Sequence, residues 1–131
     1  MNEPNRKNSD HILIIEDNDT FRKMLRIRLE SLGFQVSTAE DGLEGLNMAR
    51  TVNPDLILLD LMLPKMDGHN VCRLLKFDQK YRHIPIVILT ARDLENDAER
   101  AKEHGADAYI VKTTRHEIML DVIQKLLVRN G

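Results

Sequence analysis

The chain has 131 residues and a net charge of −2 from 19 basic and 21 acidic side chains, with a pI near 6.2. That is roughly one domain of chain, enough for one core, and its balanced charge excludes electrostatic adhesion to nucleic acid or anionic membrane as its main business. No apolar run approaches the roughly 18–20 residues of a membrane span, and a single cysteine, Cys72, excludes an internal disulfide framework and suits a reducing, cytoplasmic compartment.

The first ten residues, MNEPNRKNSD, are polar and read as a loosely ordered tail preceding one domain over 11–131. Short apolar runs then follow at His11–Ile15, Phe34–Ala39, Asp55–Leu59, Ile84–Leu89 and Ala108–Val111. Four are nearly continuous and rich in Val, Ile and Leu, the pattern of strands buried on both faces. Phe34–Ala39 alternates, which predicts an edge strand. Between the runs lie helical patterns. Asp19–Leu32 carries Phe21, Leu25, Leu29 and Leu32 on one face and stops at Gly33. Leu43–Thr51 ends near Asn53-Pro54, because the residue before proline avoids the helical region. Asp67 can cap a third helix bearing Val71, Leu74 and Leu75, and Leu94–His104 forms a fourth, closed by Gly105. Thr114 to Glu117 reads as a capping box for a fifth helix, with Ile118, Val122, Ile123, Leu126 and Leu127 inward. Five β-then-α units predict a doubly wound parallel sheet, and the flavodoxin-like strand order 2-1-3-4-5 fits them.

Ligands of open α/β sheets bind at the carboxyl ends of the strands. There the sequence places Glu16-Asp17 after strand 1, Asp60 after strand 3, Thr90 after strand 4 and Lys112 after strand 5. Asp17 or Asp19 alone reads equally well as a helix cap. Asp60, set between Leu56-Ile57-Leu58-Leu59 and Leu61-Met62-Leu63-Pro64, is expected to be half-buried, and an isolated carboxylate there is costly to ionise. Three converging carboxylates call for a cation. All-oxygen ligation without His or Cys fits Mg²⁺. Thr90 and Lys112 could each contact the oxygens of a transferred phosphoryl group.

These motifs resemble a two-component response-regulator receiver domain, related to the bacterial chemotaxis regulator. The resemblance runs from His11 to Val128. It rests on Ile14-Ile15-Glu16-Asp17, on Leu59-Asp60-Leu61-Met62-Leu63-Pro64 with Met66-Asp67-Gly68, on Leu89-Thr90-Ala91-Arg92, and on Gly105-Ala106-Asp107-Ala108-Tyr109-Ile110-Val111-Lys112. It implies that Asp60 accepts a phosphoryl group from a histidine kinase or histidine phosphotransferase and passes the signal to a downstream protein. Asp17, Asp60 and the Met62 carbonyl would bind Mg²⁺, with Glu16 acting through water. Thr90 and Lys112 would hold the phosphoryl oxygens, and Tyr109 would be the aromatic switch. Such a domain acts on itself rather than as an enzyme on other substrates, as a monomer or a phosphorylation-linked dimer. Met62 and Arg92 most resemble receivers of the winged-helix transcription-factor class, yet no DNA-binding segment follows, so a single-domain regulator and an excised receiver both remain open.

One departure stands out. The family usually carries proline after the lysine, and that bond is typically cis; here Thr113 follows Lys112. A cis bond costs ~2.5–4 kcal/mol before threonine against ~0.5–1 before proline. Either the fold holds a cis bond or the bond is trans with a rebuilt loop. The expectation leans to trans, with Lys112 further from Asp60 in the unphosphorylated protein and its long stem still allowing phosphorylation.

Among the rest, His11, His69, His83, His104 and His116 show no metal-ligand spacing and read as surface or capping residues. Cys72 reads as a small buried hydrophobe, and Met48, Met66 and Met119 as gap-fillers or rim residues. On the first helix, with Phe21 at 0°, Ile27 falls at about 240°, off the core face, where it is expected to contact a kinase-side partner. Two rival functions are a degenerate receiver that only binds partners and a haloacid-dehalogenase-type phosphatase using Asp17 of Asp17-Asn18-Asp19. A flavodoxin is disfavoured, because the acidic loop after strand 1 would repel a flavin phosphate.

Overall fold

A computed structural model describes residues 10–91 and 95–130. Five parallel strands form one sheet: β1 His11–Ile15, β2 Gln35–Ala39, β3 Leu56–Asp60, β4 Ile86–Thr90 and β5 Ala108–Val111. Their order is β2-β1-β3-β4-β5, as expected. The helices are α1 Asp19–Ser31, α2 Gly42–Val52, α3 Gly68–Lys76, α4 Glu95–Glu103 and α5 His116–Asn130. Residues 1–9 of the expected tail, Arg92 and Leu94 lie outside the described residues. Asp10 already accepts the Gln35 N–H at 3.0 Å.

Alternate strand residues feed two cores, as the period of two demands. On one face Ile12, Ile14, Leu56, Leu58, Val87 and Leu89 pack against Leu25 and Leu29 of α1 and Met119, Ile123 and Leu126 of α5. On the other, Leu13, Ile15, Ile57, Leu59, Ile86 and Ile88 meet Leu46 and Ala49 of α2, Val71, Cys72 and Leu75 of α3, and Ala101 of α4. β1, β3 and β4 are the central strands, and every residue of β3 and β4 is buried. The alternating β2 lies at an edge and is only partly covered.

Helix starts follow the capping chemistry. Asn18, Asp41 and Asp67 each accept a backbone N–H three residues on, opening α1, α2 and α3. Three expectations need correction. Helix α5 begins at His116, beyond the expected cap, because the Arg115 carbonyl accepts the first helical N–H, from Met119 at 3.1 Å, while the Thr114 N–H closes a turn to the Val111 carbonyl at 2.8 Å. The core stripe of α5 is Met119, Ile123 and Leu126, spaced i, i+4, i+7, which leaves Ile118 outward and 52% exposed. His69 is buried rather than superficial.

Candidate functional site

The parallel strands end on one edge and deliver their last residues to a single cleft. Glu16 leaves β1 fully buried, and its backbone N–H donates to the Ala39 carbonyl at 3.0 Å. Its carboxylate Oε2 accepts the Asn18 N–H at 2.9 Å, folding the chain sharply into α1. Asp60 closes β3 and is 4% exposed, more deeply placed than the half-burial expected from its neighbours. Glu16, Asp17 and Asp60 bring one carboxylate oxygen each within 4.8 Å of one another, with Asp17 exposed at the mouth.

Two loops tighten this arrangement. Gly68 starts α3 directly under Asp60, where a Cβ would lie 2.2 Å from the Asp60 carbonyl oxygen, so only hydrogen fits. Its N–H donates to the Leu61 carbonyl at 2.9 Å, closing the loop that carries Met62. The Met62 backbone N–H donates to the Asp60 carboxyl group, while its side chain is exposed.

Lys112 supplies the counter-charge. Its backbone N–H donates to the Thr90 carbonyl at 2.7 Å, which fixes the turn after β5 to the end of β4. Its ammonium lies 2.7 Å from Glu16 Oε1, 3.5 Å from Asp60 Oδ1 and 5.0 Å from the centre of the Phe21 ring. The described peptide bonds are all trans, Lys112–Thr113 included. The expected distance from Asp60 is therefore corrected: the long lysine stem reaches the cleft from a trans backbone.

Thr90 is buried at the end of β4, one residue past Leu89, the strand partner of Asp60. Tyr109 lies on β5 beside Ile88 and packs, partly buried, on the α2–α3–α4 face. Ile27 is 67% exposed on α1, off the core face as the helical wheel predicts.

Sequence reasoning missed Arg22. Its guanidinium is buried, donates to the Glu16 carbonyl at 3.0 Å and pairs with Asp19. The signal was available: Arg22 falls at about 100° on the wheel, beside Leu29 at about 80°, so a charge had to sit at the core margin. Asp19 is thereby drawn into ion pairs with Arg22 and with Lys23, the latter at 2.9 Å. Only Asp17 of the Asp17-Asn18-Asp19 run joins the acidic cluster, since Asn18 caps α1. That arrangement removes the second carboxylate a phosphatase of the rival type would need.

The electrostatics follow from burial. Loss of water, reinforced by Glu16 and Asp17, pushes the Asp60 carboxyl up to about 7, against the opposing pull of Lys112 and the Met62 N–H. A carboxyl so poised is waiting for positive charge.

The model of the response regulator receiver domain matches residues 12–124, nearly the whole chain. The chain belongs to this family. It is 37% identical over 116 residues to the polar-differentiation response regulator DivK of Brucella ovis, covering 88% of this chain and 94% of that protein. Its fold is similar to the receiver domain of a signal transduction histidine kinase from Syntrophus aciditrophicus, with TM-score 0.85, 34% identity, and coverage of 92% of this chain and 91% of that one. It is also similar to the BeF3-activated N-terminal receiver domain of Klebsiella pneumoniae RstA, with TM-score 0.84, 30% identity, and coverage of 90% and 98%. The function of this receiver is phosphorelay signalling in a two-component system. Receiver domains generally bind Mg²⁺ and are not enzymes in the ordinary sense, and the acidic cluster could hold such an ion. Among the described residues no helix is long and apolar enough to cross a membrane.

Proposed function

We propose that this receiver takes a phosphoryl group from a histidine kinase or histidine phosphotransferase onto Asp60, in the cytoplasm. The observation that carries the reading is Asp60 itself: a buried carboxylate at a strand end, flanked by two others and faced by one ammonium. An ionised Asp60 oxygen attacks phosphorus, the bond to the donor imidazole breaks, and an acyl phosphate forms. Lys112 is already in the cleft, and moving from Glu16 toward the new phosphoryl oxygens would neutralise part of their charge. Thr90, at the neighbouring strand end, supplies a hydroxyl to the same oxygens, and Tyr109 responds on the adjacent strand as the switch. The receiver thus catalyses only its own phosphorylation and dephosphorylation.

Glu16, Asp17 and Asp60 offer only oxygen ligands, which suits Mg²⁺, and the Asp60 carboxyl, raised by burial and then by its acidic neighbours, is one that a cation would help to ionise. Asp17, Asp60 and the Met62 carbonyl would hold the ion directly and Glu16 through water. When bound, it supplies positive charge that keeps Asp60 ionised and offsets the charge of the incoming phosphoryl group. Millimolar Mg²⁺ should stabilise the folded protein, by about 1.4 kcal/mol at ten times its Kd, and so raise the melting temperature, and Asp17→Asn should blunt the rise. Equal melting curves with Mg²⁺ and with a chelator would refute a cation at this site.

The decisive test is incubation with acetyl phosphate and Mg²⁺, followed by intact mass. One added HPO₃ per chain, absent in Asp60→Asn, is the expected result. A modified Asp60→Asn chain would move the acceptor elsewhere, and an unmodified wild type would leave a receiver that only binds partners.

Exposed Ile27 supports a kinase-side contact on α1, beside the rim charge of Lys23. Ile27→Glu should slow transfer from the kinase several-fold and leave labelling by acetyl phosphate unchanged. Equal slowing of both reactions would instead mark a folding defect.

A further inference from the structure

Away from the acidic cleft, the first turn of α3 meets the end of α4 through two imidazoles. His69 is buried, and His104, which follows α4 directly, is half-buried. Their Nδ1 atoms lie 3.2 Å apart, with ring centroids 5.0 Å apart and planes inclined by 67°. Three residues past His104, Asp107 ties the chain after α4 to Lys76 of α3 at 2.9 Å and to the Ile86 N–H at 2.8 Å. Ala101 is the one buried apolar side chain described on the helix, and the Cys72 thiol, one turn after His69, donates to the His104 carbonyl at a long 3.5 Å.

We propose that His69 and His104 form a binding site for a divalent transition metal of the zinc class, which ties the end of α4 to α3. Two nitrogens on one tetrahedral zinc, each at about 2.0–2.1 Å, stand about 3.3 Å apart, and their ring centroids stand about 5.2 Å apart. The observed 3.2 and 5.0 Å approach both values. Rings meeting head-on through a shared proton at the same nitrogen separation would hold their centroids about 5.5 Å apart. The rings thus stand closer than head-on contact gives, as two ligands of one ion would. Among the described residues no third His, Cys, Asp or Glu ligand atom joins this pair within 4.8 Å, so solvent on the more open His104 side completes the coordination. Ligand softness separates this site from the acidic cleft, since imidazole selects zinc-class ions and the carboxylates select Mg²⁺. Occupation displaces the proton between the rings and pins α4, the helix that follows the Thr90 strand.

Co²⁺ added to the protein in excess Mg²⁺ reads the site directly, because tetrahedral nitrogen ligation absorbs visible light far more strongly than octahedral oxygen ligation. The expected result is one tetrahedral Co²⁺ per chain, displaced by Zn²⁺ and retained in Asp17→Asn, with affinity lowered about ten-fold or more in His69→Gln and in His104→Gln. A spectrum that is absent or octahedral in wild type, or unchanged in both histidine variants, would overturn the proposal. Should the buried His69 variant fail to fold, long-range ¹H–¹⁵N spectra of wild type decide alone. Zn²⁺ must shift the Nδ1 resonances of both His69 and His104 and spare those of His11 and His83; any other pattern refutes the site.

Discussion

Asp60→Asn should make this protein more stable, by about 2–4 kcal/mol at neutral pH without Mg²⁺. The folded Asp60 carboxyl titrates at about 7, chiefly through burial and then through Glu16 and Asp17, whereas its unfolded counterpart titrates near the ordinary 3.8. Each unit of that difference is worth ~1.36 kcal/mol, which sets a ceiling of about 4 kcal/mol.

The sign fixes the pH window. Between about pH 4 and 7 the unfolded chain has released this proton while the folded chain still holds it. The folded state then binds more protons, so this group removes stability as pH rises through the window. Below it both states are protonated, and the penalty vanishes. An amide of the same shape carries no such penalty. Denaturant melts should therefore show the advantage of Asp60→Asn growing by about 2–3 kcal/mol from about pH 5 to pH 8. Mg²⁺ should shrink the advantage by stabilising wild type more than the variant. An advantage that stays flat across this pH range would mean that Asp60 is ionised in the resting protein.

Strand periodicity made the sheet legible, because β1, β3 and β4 are buried on both faces and can be little else than apolar runs. The site was legible for the same reason: charged or hydroxylated residues at the ends of such runs, as at Glu16, Asp60, Thr90 and Lys112, are set by topology onto one edge. Features built between distant segments were not. His69 on α3 and His104 just after α4 are 35 residues apart, so no spacing announces their contact. Ile118 and Met119 exchanged roles because they are neighbours about 100° apart on the helix, and the stripe through Ile123 and Leu126 at i, i+4, i+7 runs through Met119. The length of the Lys112 stem was legible, but not its resting place, since the Glu16 carboxylate that draws the ammonium in at 2.7 Å follows a distant strand.

Lys112→Met should cost about 3–5 kcal/mol at neutral pH, the penalty for leaving a buried carboxylate without its partner. The methionine keeps much of the stem's packing near Phe21 and removes only the charge, so the loss reports electrostatics. Two carboxylates share this ammonium unequally. Glu16 Oε1 is 2.7 Å away and fully buried, whereas Asp60 Oδ1 is 3.5 Å away. Coulomb attraction falls with distance and strengthens with burial, so Glu16 is the carboxylate stranded more severely. Glu16→Gln introduced into Lys112→Met should therefore recover more stability than Asp60→Asn does in the same background. Acidification should also recover part of the loss, because protonated carboxyls no longer need the cation. These melts belong in chelator, where no divalent ion substitutes for the ammonium. Recovery by Asp60→Asn that equals or exceeds recovery by Glu16→Gln would place the resting lysine on Asp60, and its approach to the acceptor would then precede phosphorylation.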